Sequence, residues 1–252
     1  MPWPREHKDG RHKRGMDMMM RKILTGLALG VVLATALALP AQAAGPEKTW
    51  DGLERVKSDK VDEAYLLPGA DFRVYDKVMI DPTKVSFRKR WVRDMNSSLA
   101  SAQPAVSPAD VERIRKDMAD WFTEALLRHL KKAGYQVVDK AGPDVLRLTP
   151  VLMDVYINAP DTFDRIGRVE VYTLEAGEAT LAIEARDADT GQLLGRAVDH
   201  RWTGRQATWT WSTRVSNRFE FSRVFDSWSS IIVDGLASLK ESSPVAPVGT
   251  PH

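Results

Sequence analysis

The clearest pattern along the chain is a helical stripe. Val111, Ile114, Met118, Trp121, Phe122, Ala125, Leu126 and Leu130 recur at spacings that place them on one helix face. Ser107 stands where a cap belongs, Pro108 suits the first helical position, and Asp110 lies near the positive helix end. Lys131-Lys132 and then Gly134 close the element, so the pattern predicts a helix over 108–133. A second stripe is formed by Phe221, Val224, Phe225, Trp228, Ile231, Ile232, Leu236 and Leu239, and it predicts a helix over about 217–239.

Between these helices a period of two takes over. In Glu178 to Arg186, Ala179, Leu181, Ile183 and Ala185 face one way, and Glu178, Thr180, Glu184 and Arg186 the other, as in a sheet with one wet face. Asp187-Ala188-Asp189-Thr190-Gly191 is a hairpin turn, and Gln192 to Trp202 returns as the next strand. Val145 to Ile157 is apolar on both faces and reads as a central strand, with Pro150 marking a bulge or an interrupted ladder. Shorter strands are expected over Arg73 to Ile80, Tyr135 to Val138 and Arg168 to Leu174. Leu67 to Asp71 is a turn, and Asn96 to Val106 is a loop.

Consecutive strands on short turns pair mostly antiparallel, and two one-faced helices need one common surface to cover. The expected fold is α+β: a two-layer sandwich with a mostly antiparallel sheet of about four to five strands and two long helices on one face. The domain should span 67–240. A polar lead-in over 44–66 precedes it, and a tail over 241–252, with three prolines, is expected to be disordered.

The start of the chain is patterned differently. Met20-Arg21-Lys22 leads into the uncharged run Ile23 to Leu39, followed by Pro40-Ala41-Gln42-Ala43-Ala44. A basic start, an apolar core and small residues at Ala41 and Ala43 describe a secretory signal peptide cut near Ala43. Residues 1–43 then form an N-terminal extension and signal peptide, and the expected location is the periplasm. The competing reading is an uncleaved N-terminal anchor, for which the 17-residue run is short.

Removing this segment changes the charge. Of 36 basic and 34 acidic residues, seven and three lie in 1–43, which leaves 29 and 31, net −2. The remainder is therefore no general polyanion binder, and nucleic acid is not an expected partner of an exported chain. Zero cysteines excludes a disulfide framework, thiol catalysis and a covalent lipid anchor on cysteine.

Candidate chemistry is sparse. His129 and His200 are the histidines of the folded region, and neither has metal-ligand spacing to a second ligand. Asp199 and His200 are adjacent in a strand, so they point to opposite faces and cannot form a dyad. Asp187 and Asp189 resemble the start of a calcium loop, but Gly191 follows too soon and the distal Glu is missing. No nucleophile elbow, phosphate loop or dinucleotide pattern is present, and no cofactor or metal is expected.

Two stretches stand out. Lys84, Arg88, Lys89, Arg90 and Arg93 surround Phe87 and Trp91. From 201 to 223, Arg201, Arg205, Arg214, Arg218 and Arg223 alternate with Trp202, Trp209 and Trp211, and Glu220 is the single acid. Arginine with tryptophan suits anionic glycans, lipid head groups or a protein surface. The bland alternative is that the aromatics are core and the arginines solvated. Trp202, Arg205, Trp209, Trp211, Arg214 and Arg218 are the candidate interaction residues.

Leu67-Pro68-Gly69-Ala70-Asp71-Phe72, Gly134-Tyr135-Gln136-Val137-Val138-Asp139 and Gly177-Glu178-Ala179-Thr180-Leu181 together resemble a bacterial lipoprotein-like family, domain of unknown function number thirty-three thirteen. Asp187 to Leu194 and Trp228 fit the same pattern, and the likeness covers about residues 50–245. The resemblance implies an envelope location and carries no activity or site residues. Family members resemble lipoproteins with a lipid-bearing cysteine after the signal, whereas Ala44-Gly45 stands at that place here. The expected role is an accessory or binding module for an envelope protein, glycan or lipid head group. The alternative is a hydrolase of envelope material with an unpatterned site.

Overall fold

The computed structural model describes residues 48–98, 105–158, 172–173, 177–203, 210–211 and 214–249. The chain from Ala43 onward forms one compact unit. Its strands are β1 (Glu54–Val56), β2 (Glu63–Leu66), β3 (Lys77–Ile80), β4 (Lys84–Phe87), β5 (Gln136–Val137), β6 (Val145–Ile157), β7 (Tyr172–Thr173), β8 (Gly177–Asp187), β9 (Leu193–Trp202) and β10 (Thr210–Trp211). Its helices are α1 (Trp91–Ser98), α2 (Pro108–Lys132) and α3 (Arg214–Ser242).

Both long helices form where their stripes predict. The Ser107 side chain accepts from the Asp110 amide while the Asp110 carboxylate accepts from the Ser107 amide, a reciprocal cap at the start of α2. At the other end Gly134 takes φ +87°, and the Tyr135 amide reaches back to the Leu130 carbonyl. That positive φ is the reason a glycine closes this helix.

The sheet is larger than expected, with eight strands in a mixed arrangement. Its order is β1-β2-β9-β8-β6-β3-β5, and β4 also pairs with β6. The pairs β1–β2, β2–β9, β9–β8 and β8–β6 are antiparallel, whereas β3 and β4 run parallel to β6. Two of the added strands, β1 and β2, come from the lead-in. They have three and four residues, too few for a period to emerge. The predicted strand from Arg73 begins instead with a 3-10 turn over Phe72–Val74 and becomes β3 at Lys77.

Pro150 does not interrupt β6. The Leu148 carbonyl accepts from Asp81, so even-numbered residues here turn their backbone toward β3 and β4. Pro150 falls where β3 has ended opposite Leu148 and β4 has not yet begun opposite Val151. Its missing N–H faces that gap, and pairing with β8 continues through Ile183. The register shift lies later, between Met153 and Tyr156, where Asp154 adopts φ +50°.

Both long helices lie on one face of the sheet. Phe122 of α2 meets Phe225 of α3 edge to face, with centroids 5.6 Å apart. Met118, Leu126, Leu130, Phe221 and Trp228 share a core with Leu146, Leu148, Leu152, Leu181 and Ile183. Residues 243–249, expected within a disordered tail, are held instead. Val245 exchanges backbone hydrogen bonds with Gly69 and Ala70 and is buried, and the Val248 amide donates to Glu54. Composition misled here because proline forfeits one donor and leaves its neighbours free to pair.

Candidate functional site

Alternation along β8 and β9 sorts their side chains. Asp199 and Arg201 stand opposite Leu181 and Ala179 and face the helices. There Asp199, nearly buried, accepts from the Trp228 indole at 2.7 Å, the Arg201 guanidinium at 2.7 Å and the Asp62 amide at 3.1 Å. Glu178, Thr180, His200 and Trp202 belong to the other, outer face. As the sequence implied, Asp199 and His200 do not meet.

On the outer face one row crosses three strands: Tyr156 on β6 stands opposite Glu178 on β8, which stands opposite Trp202 on β9. The row depends on Gly177. Its φ is +156°, and a methyl at that position would overlap the Tyr156 carbonyl. Thr203 closes the same corner, since its hydroxyl accepts from the Gly177 amide at 2.9 Å and its own amide donates to the Gly177 carbonyl.

Glu178 is 1% exposed. An isolated carboxylate at that depth would be strongly destabilising, and two groups answer it. Arg88, just beyond β4, forms an ion pair with Oε1 while its guanidinium lies 5.0 Å over the Tyr156 ring. His200 places Nε2 3.2 Å from Oε2. An ionised carboxylate only accepts, so Nε2 is the donor in this contact and Nδ1 is the other polar atom of the ring. Trp202 meets His200 edge to face at 5.5 Å and is 60% exposed. The cluster is thus a buried, charge-compensated floor with an aromatic ring standing out beside it.

The opposite end of the outer face carries a part-buried ion-pair network. Arg196 bridges Asp51 at 2.6 Å and Glu184 at 2.8 Å. Burial pushes Glu184 up, but hydrogen bonds and charges from Arg186 and Arg196 outweigh it and hold the carboxyl below its ordinary range. Asp187 closes the hairpin turn: it accepts from the Asp189 and Thr190 amides and from Tyr75. Among the described residues no group of three potential ligands is arranged to hold a metal.

Of the candidate interaction residues, Trp202 and Arg218 have described side chains. Trp202 is on the outer face, whereas Arg218 of α3 reaches Glu124 of α2 at 3.4 Å and lies 5.7 Å over Trp121. Trp211 lies in β10, opposite Tyr172, and Arg214 is the first residue of α3. Arg205 and Trp209 lie outside the described residues, as does most of the strand expected over Arg168 to Leu174. In the first basic stretch the aromatics are structural. Phe87 and Trp91 stack at 4.4 Å, and the buried Trp91 indole donates to Ile157. Arg88 alone of that stretch joins Glu178. Sequence reasoning missed Glu178 because it occupied an apparently wet position. The strand order brings Arg88 and His200 to it.

A family model described as "Protein of unknown function (DUF3313)" matches residues 43–232, and the chain belongs to that family. A search of curated proteins finds no match. Among solved structures, a PelC dodecamer from Paraburkholderia phytofirmans is similar at 12% identity, with TM-score 0.33, over 69% of this chain and 95% of that one. A protein from Xanthomonas campestris, matched by the family model DUF330, shares 9% identity with TM-score 0.36 over 70% and 90%. A minor lipoprotein from Acinetobacter baumannii shares 14% identity with TM-score 0.31 over 66% and 94%. At such scores none of these likenesses bears on function.

Proposed function

We propose that this member of the DUF3313 family is an exported periplasmic protein that serves as a binding module of the cell envelope, with the outer-face cluster around Trp202 as its contact site. Export is supported by the basic–apolar–small pattern ending at Ala43, the residue at which the family match begins. Binding is carried by one observation: Trp202 is 60% exposed, yet it is placed against His200 beside a compensated ion pair. Fixed aromatic rings with polar surroundings are the usual anchors of recognition surfaces, because they offer contact area at little entropic cost. The partner belongs to the envelope: a protein, a glycan or a lipid head group.

The test combines fractionation with capture. The mature protein is expected in the soluble periplasm with its N-terminus near Ala44, and an intact N-terminus in the membrane pellet would overturn the export reading. Immobilised protein should retain an envelope component that the Trp202→Ala variant does not retain. Equal retention by both would remove the contact site.

A second reading, a hydrolase of envelope material, draws on the His200 imidazole held by Glu178, the side-chain type most used for general acid–base work. Turnover of envelope material that disappears in His200→Ala would favour it over pure binding.

A further inference from the structure

We infer that the ligand of the outer-face cluster is an uncharged saccharide, stacked on Trp202 and hydrogen-bonded by His200 and Arg88; this rests on the binding-module reading above and narrows it. Charge compensation is the first argument. The half-exposed Arg88 is already committed to Glu178, which is 1% exposed. An anionic ligand would draw the guanidinium away and leave a buried carboxylate without its cation. That penalty is equivalent to about a hundredfold or more in affinity. A cation would meet Arg88 and find the Glu178 carboxylate buried beneath it. A purely apolar ligand would cover the exposed parts of Arg88 and His200 and leave their polar atoms unanswered.

A neutral polyol meets none of these objections. Its hydroxyls both donate and accept, which matches the remaining N–H groups of Arg88 and, in either protonation state, Nδ1 of His200. Its ring offers a flat array of C–H groups, which matches the exposed indole of Trp202. The dimensions agree. Tyr156 and Trp202 stand two strand spacings apart, about 10 Å, with Glu178 between them. A sugar ring is narrower than that row, and Arg88 lies over the Tyr156 end. Sites of this kind combine apolar rings with a few fixed polar groups that set orientation.

The experiment is calorimetric titration of the purified protein with three sets of probes. These are neutral oligosaccharides of glucose and N-acetylglucosamine, oligogalacturonates as acidic counterparts, and vesicles containing anionic phospholipid. Binding of a neutral oligosaccharide is expected, weakened about tenfold or more by Trp202→Ala and by His200→Ala. Trp50→Ala serves as the control, because Trp50 is 96% exposed in a distant turn, and it should leave affinity unchanged. Circular dichroism and melting temperature confirm that each variant is folded. The inference is overturned if no neutral oligosaccharide binds, if only the acidic probes bind, or if Trp202→Ala leaves neutral binding intact. Should Trp202→Ala abolish retention of an envelope protein or vesicle while no neutral saccharide binds, the saccharide falls and the binding module stands. Should Trp202→Ala affect neither, both fall.

Discussion

Replacing Trp228 by Phe tests whether one buried polar contact locks α3 onto the sheet behind the site. Trp228 is 1% exposed and stacks on Phe225, with centroids 6.0 Å apart. Phenylalanine keeps most of that packing and removes the indole N–H, which is 2.7 Å from Asp199 Oδ2. A hydrogen bond to a charged acceptor contributes about 1.5–3 kcal/mol. Asp199 keeps Arg201 and the Asp62 amide, so the loss should fall within that range. Asp199→Asn should cost more, about 3–5 kcal/mol. An amide nitrogen at the Oδ2 position would face two donors, and Arg201 would lose its counter-charge. Trp228→Ala, which empties the ring volume as well, should cost about 3–5 kcal/mol. Urea unfolding of the three variants, with the Trp228→Phe/Asp199→Asn double mutant closing a cycle, measures each value. The two changes share a partner, so they should couple by about 1 kcal/mol or more. If both single variants stay within about 0.5 kcal/mol of the parent, as at ordinary surface positions, the contact does not hold the helix. The site shares this dependence, because His200 follows Asp199 directly on β9.

Gly177→Ala should destabilise by about 2–4 kcal/mol, read by urea melts, because the added methyl meets the backbone of Tyr156 and not a side chain that can move. Acid should destabilise the protein through Glu184, which Arg186 and Arg196 hold below its ordinary range against burial, and Asp51, which Thr49 and then Arg196 hold down. A pKa lowered in the folded state means stability that is present above about pH 4 and lost as pH falls below it. Arg196→Met should therefore flatten the acid limb of a urea-midpoint profile, and an unchanged limb would count against the bridge. Tyr75 acts in the opposite sense. Burial first, and then Asp187 as acceptor, push its hydroxyl above the ordinary range, so its contribution is present below about pH 10 and lost as pH rises further. Tyr75→Phe should remove that alkaline loss, and an identical alkaline profile in the two proteins would refute the assignment.

The sequence alone determined what depends on near neighbours. The stripes at 111–130 and 221–239, the Ser107 cap, the Gly134 stop and the turn at Asp187 to Gly191 each involve residues within a few positions of one another. Their physics is complete before the chain closes. The α+β class and the common side of the two helices followed, since two one-faced helices and alternating strands have few ways to bury their apolar faces together. What only the tertiary structure decided was pairing between distant segments. The short strands β1 and β2 join the sheet through β9, and Pro150 is tolerated because β3 and β4 leave a gap opposite its missing donor. The candidate site is of the same kind. Arg88, Tyr156, Glu178 and His200 come from four strands or their ends, and nothing near Glu178 in the chain announces its partners. An alternating pattern marks which side of a sheet a carboxylate takes, but its burial and its cation are set by the neighbouring strands, and that order arises only when the whole sheet assembles.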